Sequence, residues 1–439
     1  MRISRLWSTV PVLLTVCLLS WTLLSVHAQG KANSEIVQER ELPGPGRRVR
    51  GEDGRPAENQ DWQARRHERE HASTSSSKPT GLVVVLPPGK QKGLGLRALN
   101  NPFISGVAVQ MNWRDIEPVQ GQPDWSRLDE VFAAAASGKK WVQLLIFPGF
   151  FAPAWAKEGA ETDMFPIQYG PGHGTVESLP MPWDRVYLRH WFAFLKRLSD
   201  RYGSSPAFRM IAADGPTSVS AEMSLPNNLQ DHQKWLSHSY TVEKYLGAWQ
   251  QVFQFYAATF PNQYVSLSAP GLPVLGPGKK DPAEHKREHQ RGRITVIEQA
   301  SGILGPRLGI QWSDLHAGVA RVEAPDETGF VISHAGGLIT GLQMRCPAEG
   351  DSSAVMGAGG DPPLALRRSI DKGMQPNDAG QHVDYLEIYE PDVIAEEMQP
   401  VLQYAASLFE GKQPSERFPG AGQRVRGEES RSSENQDSE

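Results

Sequence analysis

The sequence predicts a (β/α)8 barrel between two disordered arms, and three observations carry that reading. Within residues 81–412, short apolar runs alternate with amphipathic helical stretches, and eight of the runs read as strands. No glycine-rich phosphate loop follows an early strand, which weakens the doubly wound sheet that the same alternation would allow. Polar and aromatic residues gather where the runs end, which is where a barrel builds its site.

Taken in order, the first strand is predicted near Leu82 to Leu86. The second carries Val107, Val109 and Met111 between Gly106 and Asn112. Pro118, Gly121 and Pro123 then mark a turn before a helix opens across 124–126. Leu128, Val131, Phe132 and Ala135 recur at helical spacing until Gly138 stops the helix, and Trp141 to Phe147 follows as a continuous apolar run. That is strand, helix, parallel strand. A long loop, Pro148 to Trp183, leads to a helix whose Val186, Trp191, Phe194, Leu195 and Leu198 share one face. Five more strands are predicted, near Phe208 to Ala213, Tyr264 to Ser268, Leu308 to Ser313, Leu338 to Met344 and Tyr385 to Tyr389. Helices are placed near Glu243 to Ala258, Arg293 to Ile303, Leu364 to Lys372 and Ile394 to Leu408.

The two ends differ from the middle. Arg2 and Arg5 precede an apolar run from Val10 to Leu24, and Val26, His27 and Ala28 offer a small-residue cleavage site, so residues 1–28 read as a secretory signal peptide. An uncleaved N-terminal membrane anchor is the alternative, because the run is long for such a leader. Residues 29–80 and 413–439 are charged and poor in large apolar side chains, and read as a disordered linker and tail. Both contain near copies of one motif: PGPGRRVRGE at 43–52 recurs as PGAGQRVRGE at 419–428, and ENQD stands at 58–61 and 434–437. The repeat is either a tether for an unknown partner or a duplication without function. Cleavage would remove Cys17 and leave Cys346 alone, so no intrachain disulfide is expected. A net charge of −5 gives no support to nucleic-acid binding.

The predicted strand ends carry Asn112 and Trp113, Trp155, Asp214, Trp312, Gln343 and Tyr389, and Trp183 closes the long loop as a subsite platform or a lid anchor. Rings that stack on the apolar faces of a sugar, beside amides and carboxylates that bind its hydroxyls, suit a carbohydrate. Trp113 and Trp155 are read as lining the cleft.

The pattern Trp113, Ile116, Glu117, Pro118, Gly121, Asp124, Trp125, Leu128, Asp129, followed by Gly138, Lys139, Pro153 and Trp155, resembles the second and third units of clan A glycoside hydrolase barrels. Family 42 beta-galactosidases and their relatives come nearest to it. The leader implies a chain that is secreted or placed in the periplasm or cell envelope, and the resemblance implies an enzyme that cleaves O-glycosidic bonds in an oligo- or polysaccharide with retention. It implies a general acid/base after the fourth strand and a nucleophile after the seventh, with their carboxyl groups about 5 Å apart. The candidates are Glu222, after the Phe208 strand, and Glu387. Ala221 stands where the family usually carries Asn, and by strand count Glu387 falls on the eighth strand. Either one predicted strand is false or Glu387 is not the nucleophile. A barrel that binds carbohydrate but has lost the catalytic pair is the competing reading.

No cofactor is expected. HEREH at 67–71 and HKREH at 285–289 match zinc-protease patterns, but the first lies in the charged linker and the second among lysines and arginines, so no metal site is expected and a metallopeptidase is the remote alternative.

Overall fold

The computed structural model describes residues 77–89, 96–168, 172–220, 222–268, 282–317, 327–349 and 361–412. The predicted leader and tail, and the linker up to residue 76, lie outside them.

Eight parallel strands close into a barrel, as the alternation predicted. They are β1 (Gly81–Leu86), β2 (Ile104–Asn112), β3 (Trp141–Phe147), β6 (Phe208–Ala212), β7 (Tyr264–Leu267), β8 (Leu308–Leu315), β9 (Ile339–Met344) and β10 (Tyr385–Tyr389). The remaining two, β4 (Thr162–Pro166) and β5 (Val176–Pro180), form a separate antiparallel hairpin. The barrel closes where β1 pairs with both β2 and β10. Its strands are buried on both faces, one against the interior and one against the helices, which is why they read as unbroken apolar runs. Around them run α1 (Ser126–Ser137), α2 (Arg185–Tyr202), α3 (Leu229–Ser237), α4 (Val242–Thr259), α5 (Pro282–Leu304), α6 (Glu327–Ser333), α7 (Pro362–Gly373) and α8 (Gln399–Phe409). Asp184, Thr241 and Asp361 cap α2, α4 and α7 through side-chain oxygens that accept first-turn N–H groups.

Three sequence expectations need correction. The last residues of the predicted linker are tied to the barrel base: Lys78 pairs with Asp384 at 2.6 Å and the Thr80 carbonyl accepts from Trp141 Nε1 at 3.0 Å. The predicted C-terminal helix begins five residues late, at Gln399, after the short helix Glu390–Ile394 and a further turn. The long loop after β3 is also not structureless, for it contains the β4–β5 hairpin. Phe165 of the hairpin stacks on Trp235 of α3 with centroids 4.4 Å apart, and Lys157 Nζ ties the Ser178 carbonyl to that of Phe150.

A histidine completes this docking. His238, just after α3, lies 2.6 Å from Glu161 Oε1 and 3.1 Å from Asp163 Oδ2, while Lys244 Nζ donates to its carbonyl. Partial burial opposes its charge, but the bonds and charges of the two carboxylates outweigh it and raise the pKa. The stabilisation is therefore complete below about pH 6.5 and is lost as pH rises through the higher folded-state value. We expect His238→Gln to loosen the hairpin by about 1 kcal/mol at pH 6 and to match wild type at pH 9. Hydrogen exchange of the hairpin amides at the two pH values would check this.

Candidate active site

The barrel interior is built from alternate residues of each strand. Trp141 and Tyr385, on strands that are not neighbours, meet edge to face inside it at 5.7 Å. Glycine makes room for each ring: a Cβ on Gly106 would lie 2.5 Å from Trp141, and one on Gly341 would lie 2.0 Å from Tyr385. Next toward the C-terminal ends of the strands comes a buried polar network. Gln143 Nε2 donates to Gln311 Oε1 at 3.0 Å and to Ser266 Oγ at 3.3 Å, and the Tyr385 hydroxyl donates to the same Gln311 oxygen at 2.9 Å. Gln311 Nε2 then donates to Glu387 Oε2 at 2.9 Å. Glu387 is fully buried. Burial pushes its pKa up to about 8, against the opposing effect of the Gln311 bond.

Glu222 reaches the interior by a detour. After β6 the chain leaves the sheet at Asp214 and returns eight residues later, where Glu222 forms a parallel bridge with Ser268 and Met223 N donates to the Ser268 carbonyl at 2.9 Å. Since Ala212 pairs with Ser266, Glu222 occupies the next inward position that a continuing fourth strand would have filled. The detour is anchored from outside. Trp191 Nε1 donates to the Asp214 carbonyl at 2.9 Å, and the Tyr187 and Tyr245 hydroxyls donate to Gly215 and Pro216, each at 3.1 Å. Gly149, at φ 58°, lets the turn after β3 pass so close that any Cβ would strike the Thr217 and Ser218 carbonyls at 2.4 Å.

Glu222 is half-buried. Its pKa is pushed up to about 7, first by burial; a hydrogen bond with Ser313 opposes the rise and the charge of Asp314 adds to it. Asp314 in turn pairs with Arg345 at 2.6 Å. Gln343 Nε2 donates to the Tyr389 hydroxyl at 2.9 Å, so these two predicted site residues do meet, at the ends of β9 and β10.

The strand count answers one question left open above. Phe208–Ala212 is the fourth barrel strand and Tyr385–Tyr389 the eighth, so none of the eight predicted strands was false and Glu387 stands one strand beyond the expected nucleophile position. The seventh strand, β9, contains no acid, and Glu349, the nearest one after it, is exposed.

Other predicted site residues lie elsewhere. Trp113 is fully buried among Trp155, Tyr187, Trp191 and Phe194, so it is core and not cleft lining. Its Nε1 donates to Glu117, a buried carboxylate paired with Arg197. Trp155 is half-buried behind it, edge-on to His190. Trp312 alternates with the inward Gln311 and faces the helices, in a small crevice with Arg293, Ile297, Phe330 and Val331 outside the barrel. Asp214 is fully buried, neither carboxyl oxygen has a hydrogen-bond partner, and burial raises its pKa well above the usual carboxylate range, so it does not line the cleft. Trp183 packs on Trp235 and Tyr240 beneath Lys244, in the manner of an anchor. Asn112 ends β2 half-buried, with its Nδ2 donating to Asp115 at 2.9 Å.

The reading of the sequence missed Gln143, Ser268 and Ser313. Gln143 had a signal, as the single polar residue of an apolar strand that does not need it for its own stability, whereas Ser268 and Ser313 stand close to other polar residues and left no such mark.

Residues 97–272 match the family 42 beta-galactosidase model. The matched stretch is under half of the chain, and it runs from before β2 to just beyond β7. It therefore contains Glu222 and stops short of Gln311, Ser313 and Glu387. The resemblance expected from residues 104–155 is borne out and reaches further than they do. Among solved structures, the chain is similar to the catalytic domain of a beta-amylase from Paenibacillus polymyxa, at 11% identity and TM-score 0.45, over 77% of this chain and 100% of that one. It is also similar to a beta-galactosidase from the Antarctic haloarchaeon Halorubrum lacusprofundi, at 13% identity and TM-score 0.41, over 75% of this chain and 58% of that one. A third is xylanase 10B from Thermotoga petrophila with bound xylobiose, at 8% identity and TM-score 0.43, over 71% of this chain and 82% of that one. No curated protein sequence is significantly similar.

Among the described residues no group of His, Cys, Asp and Glu could hold a metal ion, and no helix is long and apolar enough to cross a membrane. Residues 67–71 lie outside the described residues, as do the side chains of His285 and His289.

Proposed function

We propose that this barrel hydrolyses O-glycosidic bonds in an oligo- or polysaccharide, with Glu222 as general acid/base and Glu387 as the second carboxyl. The observation that carries the reading is Glu222 itself, a half-buried carboxyl in register with the fourth strand whose pKa of about 7 keeps a proton available near neutrality. The partial family match supports it, because it covers that strand end. Gln343 and Tyr389 offer the amide and hydroxyl that would bind sugar hydroxyls, with Asn112 at the end of β2. The chain is exported in this reading, by cleavage after residue 28 or as an N-terminally anchored protein, and the arms tether it through their shared motif.

Glycoside cleavage needs one carboxyl protonated and one ionised. With Glu222 at about 7 and Glu387 at about 8, the singly protonated site is most populated between the two values; most of it holds the proton on Glu387, and the productive minor form, with Glu222 protonated and Glu387 ionised, peaks in the same window. We expect hydrolysis of a panel of aryl glycosides to follow a bell with its maximum between pH 7 and 8, and a flat profile over that range would count against the pair.

One observation favours a second reading, a carbohydrate-binding barrel without turnover. Glu387 is fully buried below the mouth, and the seventh strand supplies no acid in its place. That reading expects saturable oligosaccharide binding in calorimetry with no product at any pH.

A further inference from the structure

Glu387 is held by one amide. Gln311 Nε2 donates to its Oε2 at 2.9 Å, and its Oε1 has no hydrogen-bond partner among the described residues. In register with it on the neighbouring strands stand Val83 of β1 and Gln343 of β9, neither of which ionises. Tyr385, two residues earlier on the same strand, is the titratable group that its charge acts on. The end of the Gln311 amide that faces the carboxyl therefore decides which protonation state is favoured. An N–H favours the anion, whereas a carbonyl would accept from the acid.

The two ends of an amide are alike in shape, so its other neighbours make the choice. Gln311 Oε1 accepts from Gln143 Nε2 at 3.0 Å and from the Tyr385 hydroxyl at 2.9 Å. Turning Gln311 alone would set its N–H groups against those of Gln143. Turning Gln143 with it would remove that clash, because the Ser266 hydroxyl, which accepts from Gln143 at 3.3 Å, can also donate. The Tyr385 hydroxyl would then lose the acceptor it holds now. Burial keeps this phenol protonated, by raising its pKa well above the usual value, and a buried donor without an acceptor is costly.

We propose that Tyr385 is a positioning residue that acts through Gln311: it pins the amide N–H toward Glu387 and so keeps the anion of the second carboxyl within reach. Its catalytic meaning rests on the hydrolase reading, whereas its test does not.

The test is a 13C-carboxyl NMR titration of the full chain, with the Glu387 signal assigned by its absence from Glu387→Gln. Tyr385→Phe keeps the ring that packs on Trp141 and removes only the hydroxyl. The freed amides can then offer a carbonyl to the acid, so the midpoint should rise from about 8 by roughly half to one pH unit. Gln311→Met removes the donor and should raise the midpoint by about one unit or more. In the Gln311→Met background Tyr385→Phe should add nothing, which a packing role would not produce. An unmoved midpoint in Tyr385→Phe, or the same shift with and without Gln311, would overturn the proposal. An unmoved midpoint in Gln311→Met would overturn it too, whether or not Tyr385→Phe folds. Moved midpoints with no glycoside cleaved by wild type would uphold the role of Tyr385 and overturn only the hydrolase reading.

Discussion

The Glu387→Gln protein is expected to resist heat better than wild type at pH 8.5 while turning over no substrate. Glu387 is fully buried and carries its proton with a pKa of about 8, whereas in the unfolded chain it is an ordinary glutamate near 4.3. Between those values the folded state binds a proton that the unfolded state has released. The contribution is complete below about pH 4 and is lost progressively as pH rises to about 8. At roughly 1.4 kcal/mol for each tenfold change in proton affinity, the loss is on the order of 4–5 kcal/mol, a large part of a domain's stability. Glutamine keeps an acceptor for Gln311 Nε2 and never ionises. It should therefore be no more stable than wild type at pH 5, and clearly more stable at pH 8.5. Thermal melts of both proteins at the two pH values read this directly. A lower melting temperature for the mutant at pH 8.5 would mean that Glu387 is held as an anion in the folded protein.

How much of this could be read beforehand differs between fold and site. All eight strands were visible because a strand buried on both faces must be apolar throughout, and β3, with Gln143 as its single polar residue, is such a run. The β4–β5 hairpin was hidden because Asp163, Met164 and Glu177 break any clean alternation, and its stability comes from Phe165 packing on Trp235, some seventy residues away. The rings were misjudged for a related reason. A tryptophan just after a strand can turn toward the ligand or toward the helices, and Trp113 turns to the helices because Glu117, four residues on, accepts its N–H. Glu222 was found despite lying ten residues beyond its strand, but its placement depends on a detour held by tyrosines and a tryptophan of α2 and α4. Such contacts join positions too far apart in the chain to leave a local pattern.

Glu222→Gln should lower kcat by about 10² to 10⁴ for natural glycosides, the usual contribution of a positioned proton donor. The loss should depend on the leaving group. A natural sugar departs as a strongly basic alkoxide unless protonated, so removing the acid raises that barrier fully. A nitrophenolate is a weak base and departs without help, so for an activated aryl glycoside the bond-breaking step should be nearly unaffected. In a retaining cycle the second step would then become limiting, because the same carboxylate must activate the attacking water. An early burst of nitrophenolate followed by slow turnover is the expected trace. The bell of the pH profile should collapse with it, since the Glu222 proton, lost near pH 7, is one of the two that shape it. Equal losses for natural and activated substrates, without a burst, would show that Glu222 binds sugar and donates no proton. The role of acid would then have to pass to Glu387, which is fully buried and holds its proton at neutral pH.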